Sequence, residues 1–124
     1  MGITTATAEE YNLKTIEAVI RSEKFGYVKD ALAKAGYTSL TMYEVKGRGK
    51  QSGIVETVNG KTIRADLLPK TKIEIVVDDK EIEKIIKIII TTAKTGMIGD
   101  GKIFVSPIDN VIRVRTSERD NNAI

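Results

Sequence analysis

Residues 72–94 read KIEIVVDDKEIEKIIKIIITTAK and combine two periodicities in one continuous stretch. Lys72–Val77 is rich in β-branched residues and predicts a strand. Two aspartates follow, which suit the start of a helix, and apolar residues then recur at helical spacing. The members of this stripe are Ile82, Ile85, Ile86, Ile89 and Ala93. The stripe predicts a helix through Lys94, although the isoleucine run at 88–90 also suits a strand.

Similar patterns flank this stretch on both sides. They predict strands at Lys14–Arg21, Ser39–Val45, Lys102–Val105 and Val111–Arg115, and a helix at Lys24–Ala35 that stops at Gly36. The order β-α-β-β-α-β, with a small extra strand, indicates an α+β, ferredoxin-like sandwich in which two helices cover one face of a four-stranded antiparallel sheet.

Strand alternation assigns residues to the two faces of this sheet. Ile16, Ala18 and Ile20 share one face of the first strand. We expect Val19, Ile75 and Val77 on the face that the helices leave open. An uncovered apolar face usually means an oligomer interface.

The composition is that of a globular protein and excludes several kinds of chemistry. The 124 residues suit one domain, and 41% hydrophobic with 30% charged residues supports a core. The chain has no cysteine and no histidine, which rules out zinc fingers, disulfide scaffolds and Ser-His-Asp catalysis. Any metal would need oxygen ligands. The net charge of +3 is too small to indicate nucleic acid by itself.

No segment reads as a membrane span or an export signal. The densest apolar stretch, Ile82–Ile90, is interrupted by charges and is shorter than the ~20 residues that a bilayer requires. Residues 1–13 lack the basic and apolar regions of a secretory signal. We interpret them as a flexible N-terminal extension to a single domain at 14–124, and we expect a cytoplasmic protein.

A long basic segment separates the second and third predicted strands. Lys46–Lys70 reads KGRGKQSGIVETVNGKTIRADLLPK, whereas a simple hairpin needs ~2–5 loop residues. Long loops in small domains are usually functional or mobile. Two interpretations stay open: a solvated basic hairpin extension, or a partner-binding arm whose base holds an anion.

Two further clusters suit a polyphosphate. In TGMIGDGK at Thr95–Lys102, glycines allow close backbone approach with amide N–H groups facing phosphate oxygens, and the lysine adds charge. Arg113 and Arg115 lie two apart on a predicted strand, so both guanidinium groups would converge on one anion. Taken alone, the first cluster also suits an ordinary turn and the second a solvated strand edge. Together with GRGKQ at Gly47–Gln51 they favour a phosphate site, although no Walker A motif is present.

Several of these motifs, in the same order, resemble those of one protein family. TGMIGDGKIFV at Thr95–Val105 is similar to the C-terminal signature of the nitrogen regulatory P-II proteins, which include GlnK. EVKGRGKQ at Glu44–Gln51, LLPK at Leu67–Lys70 and RVRT at Arg113–Thr116 match other blocks of the family. The resemblance covers nearly the whole chain, from about Lys14 onward.

The resemblance implies a homotrimer that binds ATP or ADP competitively in clefts between subunits and binds 2-oxoglutarate together with Mg-ATP. The long loop, about residues 48–67 and called the T-loop in the family, would then change shape and dock onto or release a target. The residues implied for the nucleotide are Thr41 and Val76 near the adenine, Gly49, Lys50, Gly99, Asp100, Gly101, Lys102, Arg113 and Arg115 around the phosphates, and Gly47, Gln51 and Ile98 elsewhere. The residues implied for 2-oxoglutarate are Arg21, Gln51, Lys70 and Gly99, with Gln51 also a ligand of Mg.

The loop apex departs from the family pattern. Val58–Ile63 reads VNGKTI in place of the bacterial YRGAEY, so Ile63 stands where the uridylylated tyrosine would be, and Lys61 stands where some members carry a phosphorylated serine. We therefore expect control by ligands alone. The residues implied to touch the target are Lys61, Thr62, Ile63 and Arg64. The first candidate target is an ammonium transporter, as for GlnK, which would make any membrane contact indirect; nitrogenase or another nitrogen-assimilation enzyme such as glutamine synthetase is the alternative.

Two other classes of protein share the predicted fold. An acylphosphatase-like hydrolase would also use arginine and backbone amides on phosphate, but Asp100 is the single candidate general base near the glycine turn. An RNA-binding sheet needs paired exposed aromatics for stacking, and Tyr43 and Phe104 do not match that signature. We therefore expect a regulatory protein that is not an enzyme and does not bind nucleic acid.

Overall fold

The computed structural model describes residues 12–48, 54–58, 61–65 and 67–124, and for 54–58 and 61–65 it describes the backbone alone. Within these ranges the elements are β1 (Leu13–Arg21), α1 (Phe25–Lys34), β2 (Thr41–Gly47), β3 (Ile54–Val58), β4 (Lys61–Ala65), β5 (Leu68–Asp78), α2 (Ile82–Ala93) and β6 (Gly101–Pro107). Short 3-10 turns lie at Ser22–Lys24, Asp79–Glu81 and Asp120–Asn122. Residues 1–11 of the predicted N-terminal extension lie outside the described residues.

Four of the strands form one antiparallel sheet in the order β2-β5-β1-β6. α1 and α2 pack on one face of this sheet and on each other. β3 and β4 pair separately as a two-stranded hairpin within the long loop. This arrangement confirms the predicted α+β, ferredoxin-like fold.

Local hydrogen bonds end α1 and cap the short turn that leads into α2. After α1, Gly36 adopts a φ of +98°, the Gly36 N–H donates to the Ala33 carbonyl, and the Tyr37 N–H donates to the Leu32 carbonyl. These paired bonds form a Schellman motif, which favours glycine because of its left-handed backbone. Before α2, the Asp78 carboxylate accepts from the Lys80 N–H at 3.2 Å and caps the preceding 3-10 turn.

The core lies between the helices and one face of the sheet. Its members are Ile16, Ala18, Ile20, Ile73, Ile75 and Val77 from the strands, and Val28, Leu32, Ile82, Ile85, Ile89 and Ala93 from the helices. The expectation that Ile75 and Val77 lie on the open face is wrong. Ile75 pairs directly with Ile16 across β1 and β5, and directly opposed residues in an antiparallel pair share a face. The prediction for Val19 is confirmed, because its buried neighbour Ala18 points into the core.

The open face is more polar than the sequence pattern indicates. Lys72 lies at its centre, 3.8 Å from the Glu17 carboxylate and 3.5 Å from that of Glu74. Tyr43 on β2 and Phe104 on β6 occupy the two edge strands, and their exposed fractions are 44% and 52%. This face therefore has an ion-paired centre with an aromatic side chain at each edge.

The predicted strand at Val111–Arg115 is wrong. The Arg113 N–H donates to the Glu118 carbonyl at 2.9 Å, and the Ser117 N–H donates to the Arg113 carbonyl at 2.8 Å. Ile112 makes a single isolated bridge to Arg119. The backbone groups of this segment are thus used within a local turn and do not extend the sheet, so strand alternation no longer supports convergence of Arg113 and Arg115.

In the part of the chain that the structure describes, no helix combines the length and the hydropathy needed to cross a bilayer.

Candidate functional site

The glycine-rich turn between α2 and β6 is organised by the Asp100 carboxylate. One oxygen accepts the backbone N–H groups of Thr95, at 2.9 Å, and Gly96, at 2.8 Å. The other accepts the Thr95 hydroxyl and the Arg21 Nε–H, the latter at 3.0 Å. These bonds, first the one from the Thr95 hydroxyl and then the one from Arg21, hold the pKa of Asp100 well below its ordinary value although partial burial opposes the shift.

Two cationic side chains donate hydrogen bonds to backbone carbonyls of the same turn. Arg21 at the end of β1 and Lys70 near the start of β5 are direct partners in the sheet. The Arg21 Nη2 group donates to the Ile98 carbonyl at 2.7 Å, and the Lys70 ammonium donates to the Gly99 carbonyl. Burial lowers the pKa of Lys70, and the nearby Arg21 charge lowers it further. The structure thus brings together Arg21, Lys70 and Gly99, which the sequence predicts as effector contacts, with Asp100.

Two glycines of the turn have backbone conformations and neighbours that disfavour any side chain. Gly99 has a φ of +101°, and an added Cβ would lie 3.3 Å from Arg21 Nη2. Gly101 has a φ of +109°, and an added Cβ would lie 1.7 Å from the Val19 carbonyl oxygen. Positive φ disfavours other residues, and the second contact is with backbone that cannot yield. The turn can therefore be placed against the end of β1 because both positions are glycine.

A cleft of about 690 Å³ opens on the same face of the sheet, away from the turn. Its lining includes Thr41, Val76 and Arg113, three of the residues predicted to contact a nucleotide. The further lining residues are Thr15, Glu17, Thr38, Ser39, Leu40, Glu74, Ile75, Ser106, Ile108, Val111, Ala123 and Ile124. The volume is in the usual range for a small-molecule site, and the lining mixes aliphatic groups with hydroxyls, carboxylates and one guanidinium.

The cleft and the turn are separated along β1. Thr15 and Glu17 line the cleft, whereas Val19 is paired with Lys102 beside the turn. The two to four residues of extended strand between them correspond to ~7–13 Å. Within one subunit, therefore, the cleft and the predicted phosphate turn lie at different places along one sheet face.

The other predicted site residues have varied positions. Gly47 ends β2, and an added Cβ there would contact Lys70 Cγ at 3.7 Å, so it lies beside Lys70. Ile98 and Lys102 are exposed at the turn. Arg113 lines the cleft and pairs with Glu118 at 3.2 Å, whereas Arg115 is exposed and is not among the lining residues. The remaining predictions lie in the long loop: Gly49, Lys50 and Gln51 are outside the described residues, and Lys61, Thr62, Ile63 and Arg64 belong to β4, where the backbone alone is described.

Sequence reasoning missed two residues of this region. Thr95 orders the turn through Asp100, and its signal was the combination of a hydroxyl residue at the helix end with an aspartate five positions later. Glu74 lines the cleft directly opposite Thr41 in the β2–β5 register. Alternation along β5 puts Glu74 on the same face as Val76, but its position opposite Thr41 depends on the β2–β5 register, which the sequence does not give.

Known proteins resemble this chain over most of its length. The sequence model of the family described as nitrogen regulatory protein P-II matches residues 13–118. The chain is 51% identical over 112 residues to nitrogen regulatory protein P-II 2 of Methanothermobacter thermautotrophicus, which covers 90% of this chain and 97% of that protein. It is 46% identical to nitrogen regulatory protein P-II of a Synechocystis species, which covers 90% of this chain and 100% of that protein.

A solved structure agrees with these sequence matches. It is that of Arabidopsis thaliana PII bound to citrate, which superimposes with a TM-score of 0.75 at 39% identity and covers 91% of this chain and 92% of that one. These relatives are named as regulatory proteins, which excludes the hydrolase alternative. The chain belongs to the nitrogen regulatory protein P-II family, whose members are signal transducers and not enzymes.

Proposed function

We propose that this P-II protein is a GlnK-type sensor that binds ATP or ADP competitively and binds 2-oxoglutarate together with Mg-ATP. In this proposal it acts as a homotrimer in the cytoplasm. The state of its ligand sites sets the conformation of the loop at about residues 48–67, and the loop then docks onto or releases an ammonium transporter.

The observation that carries this proposal is that three of the predicted nucleotide contacts line one cleft. Thr41, Val76 and Arg113 come from three separate parts of the chain and line one cavity of ligand size. The aliphatic Val76 suits the face of a purine ring, and Thr41 beside Glu74 suits its hydrogen-bonding edge. Arg113 adds a guanidinium for the anionic part of the ligand. An apolar ring with a polar edge and an anionic tail is the chemistry of a nucleotide.

The cation pair at the turn supports the effector part of the proposal. Lys70, the sheet partner of Arg21, lies beside Gly47, which ends the strand that leads into the long loop. A dicarboxylate such as 2-oxoglutarate would find the Lys70 ammonium there, and that ammonium keeps donors beyond the one used on the Gly99 carbonyl. Because the cleft and the turn are separated along the face, a trimer in which one subunit's cleft meets the neighbour's turn would complete the site.

A magnesium ion at the proposed site would need few ligands from the protein. The described residues contain no group of three or more carboxylates that could hold a metal ion. Mg²⁺ commonly takes most of its oxygen ligands from phosphates and water. We assign Gln51 as the one protein ligand, with ATP and 2-oxoglutarate supplying others. The ion would supply charge neutralisation between the two anionic ligands.

The first prediction concerns the coupled binding of the two ligands. By titration calorimetry on the full chain, we expect 2-oxoglutarate to bind when Mg-ATP is present and not in its absence. Gln51→Ala and Lys70→Ala should each abolish this binding, because one removes the metal ligand and the other the carboxylate partner. Lys87→Ala, an exposed lysine of α2, is the matched control and should bind as the wild type does. Equal binding of 2-oxoglutarate without nucleotide would refute the ternary site.

The second prediction concerns the target. The pairing of Val58 with Lys61 places the proposed contact residues Lys61 to Arg64 at and next to the hairpin tip, and a two-stranded hairpin is slim enough to enter a transporter's cytoplasmic vestibule. We expect the protein to sediment with vesicles that contain an ammonium transporter in the presence of ADP, and to be released by Mg-ATP with 2-oxoglutarate. Arg64→Glu should prevent sedimentation, whereas the same charge reversal at exposed Lys34 of α1 should not. Sedimentation that ignores the ligands would contradict the proposal.

A further inference from the structure

We propose that the groove between α1 and α2 is a docking surface and that its occupant is the chain's own N-terminal segment, residues 1–11. Docking there replaces the flexible extension that the sequence alone predicts for this segment. The family match begins at residue 13, so the segment lies outside the region that carries the family assignment. The inference is independent of the proposed ligands and target.

The groove has an aliphatic floor and cationic sides. Its volume is about 460 Å³, and its lining includes Ala31 and Lys34 of α1 and Lys87, Ile88 and Thr91 of α2. Ala31 and Ile88 are partly buried, whereas the two lysines and Thr91 are exposed. The groove therefore opens on the side of the helices that faces away from the core and the sheet.

Positive charge is concentrated around this groove. Lys84 precedes Ile88 by one turn of α2 and lies on the same side of the helix, with its ammonium 5.5 Å from the centre of the Tyr37 ring. No described residue that lines the groove is acidic, and the ion pairs among the described residues include none of Lys34, Lys84 and Lys87. Neighbouring like charges repel each other, so an acidic occupant would relieve this repulsion.

The N-terminal segment has the complementary composition. Residues 1–11 read MGITTATAEEY and include Glu9 and Glu10 but neither lysine nor arginine. Ile3, Ala6 and Ala8 add apolar side chains that would lose contact with water on the aliphatic floor. The segment thus combines the acidic and the apolar groups that the groove requires.

The attachment point of the segment lies close to the lysines. The Asn12 carbonyl accepts the Asp79 N–H at 2.9 Å, so the segment joins the sheet beside the turn that leads into α2. Lys84 and Lys87 belong to the first two turns of α2. Residues 9 and 10 would lie within ~10 Å of Asn12 in an extended chain, which brings their carboxylates within reach of these ammonium groups.

The segment is also long enough to follow the groove. Residues 1–11 can span up to ~36 Å when extended, whereas the 12 residues of α2 measure ~18 Å. With the two glutamates near the start of α2, residues 3–8 would continue over Ala31 and Ile88 towards Thr91. A tethered segment binds as if present at ~mM concentration, so contacts too weak to hold a separate peptide suffice.

The test locates the segment on the full chain by NMR. Because the chain contains no cysteine, Ala6→Cys can carry a single nitroxide label, which broadens the amide signals of nearby residues. We expect broadening at Ala31, Ile88 and Thr91 and none at Tyr43 and Phe104 of the open face. Broadening absent from the helices would overturn the proposal and leave the groove to a separate partner, if to any.

Charge exchange tests the pairing of glutamates with lysines. In the labelled chain, Lys87→Glu should reduce the broadening at least twofold, and Glu10→Lys in the same chain should restore it. The same reversal at Lys29, an exposed lysine of α1 outside the groove lining, is the control and should leave it unchanged. Equal reduction by Lys29→Glu would overturn the specific pairing.

The apolar contact needs a separate variant. Ile3→Asp should also reduce the broadening, because it places a charge on the aliphatic floor. If attraction to the lysines were the whole effect, this added negative charge would increase the broadening. An increase would therefore overturn docking in the groove in favour of a diffuse ionic contact.

A mixing experiment identifies which copy supplies the segment. Isotope-labelled chains without nitroxide are combined with nitroxide-labelled chains that carry no isotope. We expect little broadening at Ile88 and Thr91 in this mixture, because each segment occupies its own groove. Broadening as strong as in the singly labelled chain would assign the occupant to a second copy and overturn the intramolecular contact.

Discussion

At the scale of single residues, Gly101 decides whether the turn can reach the end of β1. Its φ is +109°, and an added Cβ would lie 1.7 Å from the Val19 carbonyl oxygen. The left-handed backbone alone costs a residue with a side chain ~1–2 kcal/mol, and a clash with backbone adds to that. We expect Gly101→Ala to lower the free energy of unfolding by roughly 3 kcal/mol or more, measured by urea denaturation at fixed protein concentration.

Gly96 provides the matched control for this substitution. It also has positive φ, +88°, but no atom lies within 4 Å of an added Cβ. Gly96→Ala should therefore cost the conformational ~1–2 kcal/mol and no more. Equal losses in the two variants would show that the close approach to Val19 does not contribute to stability.

At the scale of the elements, the sequence predicts a strand or helix well where its pattern is long and one-sided. The stripe of α2 runs through about three turns, and of its predicted members Ile82, Ile85, Ile89 and Ala93 are buried and Ile86 is partly buried. β5 is different, because adjacent residues such as Ile75 and Val76 are both apolar although they point to opposite faces of the sheet. Such a pattern does not say which face is buried, and the pairing of Ile75 with Ile16 settles it.

In the candidate site, too, the sequence specifies some features and leaves others open. The glycines and charges of the turn follow from residue types, because close backbone approach requires glycine and anions attract lysine and arginine. Residue type alone does not say which group each charge contacts. A carboxylate such as Asp100 can face a ligand or accept hydrogen bonds from the backbone of its own turn, as it does here. At Arg113–Arg115 the pattern is too short to specify a strand, and local bonds to Glu118 and Ser117 prevail.

At the scale of the whole molecule, the proposed trimer would use the open face of the sheet. Lys72, Glu17 and Glu74 satisfy one another at its centre. The exposed aromatic side chains, Tyr43 and Phe104, lie on opposite edge strands. A contact that joins the β2 edge of one copy to the β6 edge of the next is heterologous, and repeated contacts of this kind close into a ring when the rotation permits.

This geometry leads to a prediction about the oligomeric state. By sedimentation equilibrium at micromolar concentration, we expect a species of about three times the 13.6 kDa of one chain. Phe104→Asp should dissociate it, because the new carboxylate would be buried directly opposite Glu17 in the β1–β6 register. Tyr27→Asp is the control, since Tyr27 is 66% exposed on α1, away from the open face. A wild-type monomer would contradict the trimer and leave each cleft without a neighbouring turn, whereas a trimer that persists in Phe104→Asp would move the interface off this face.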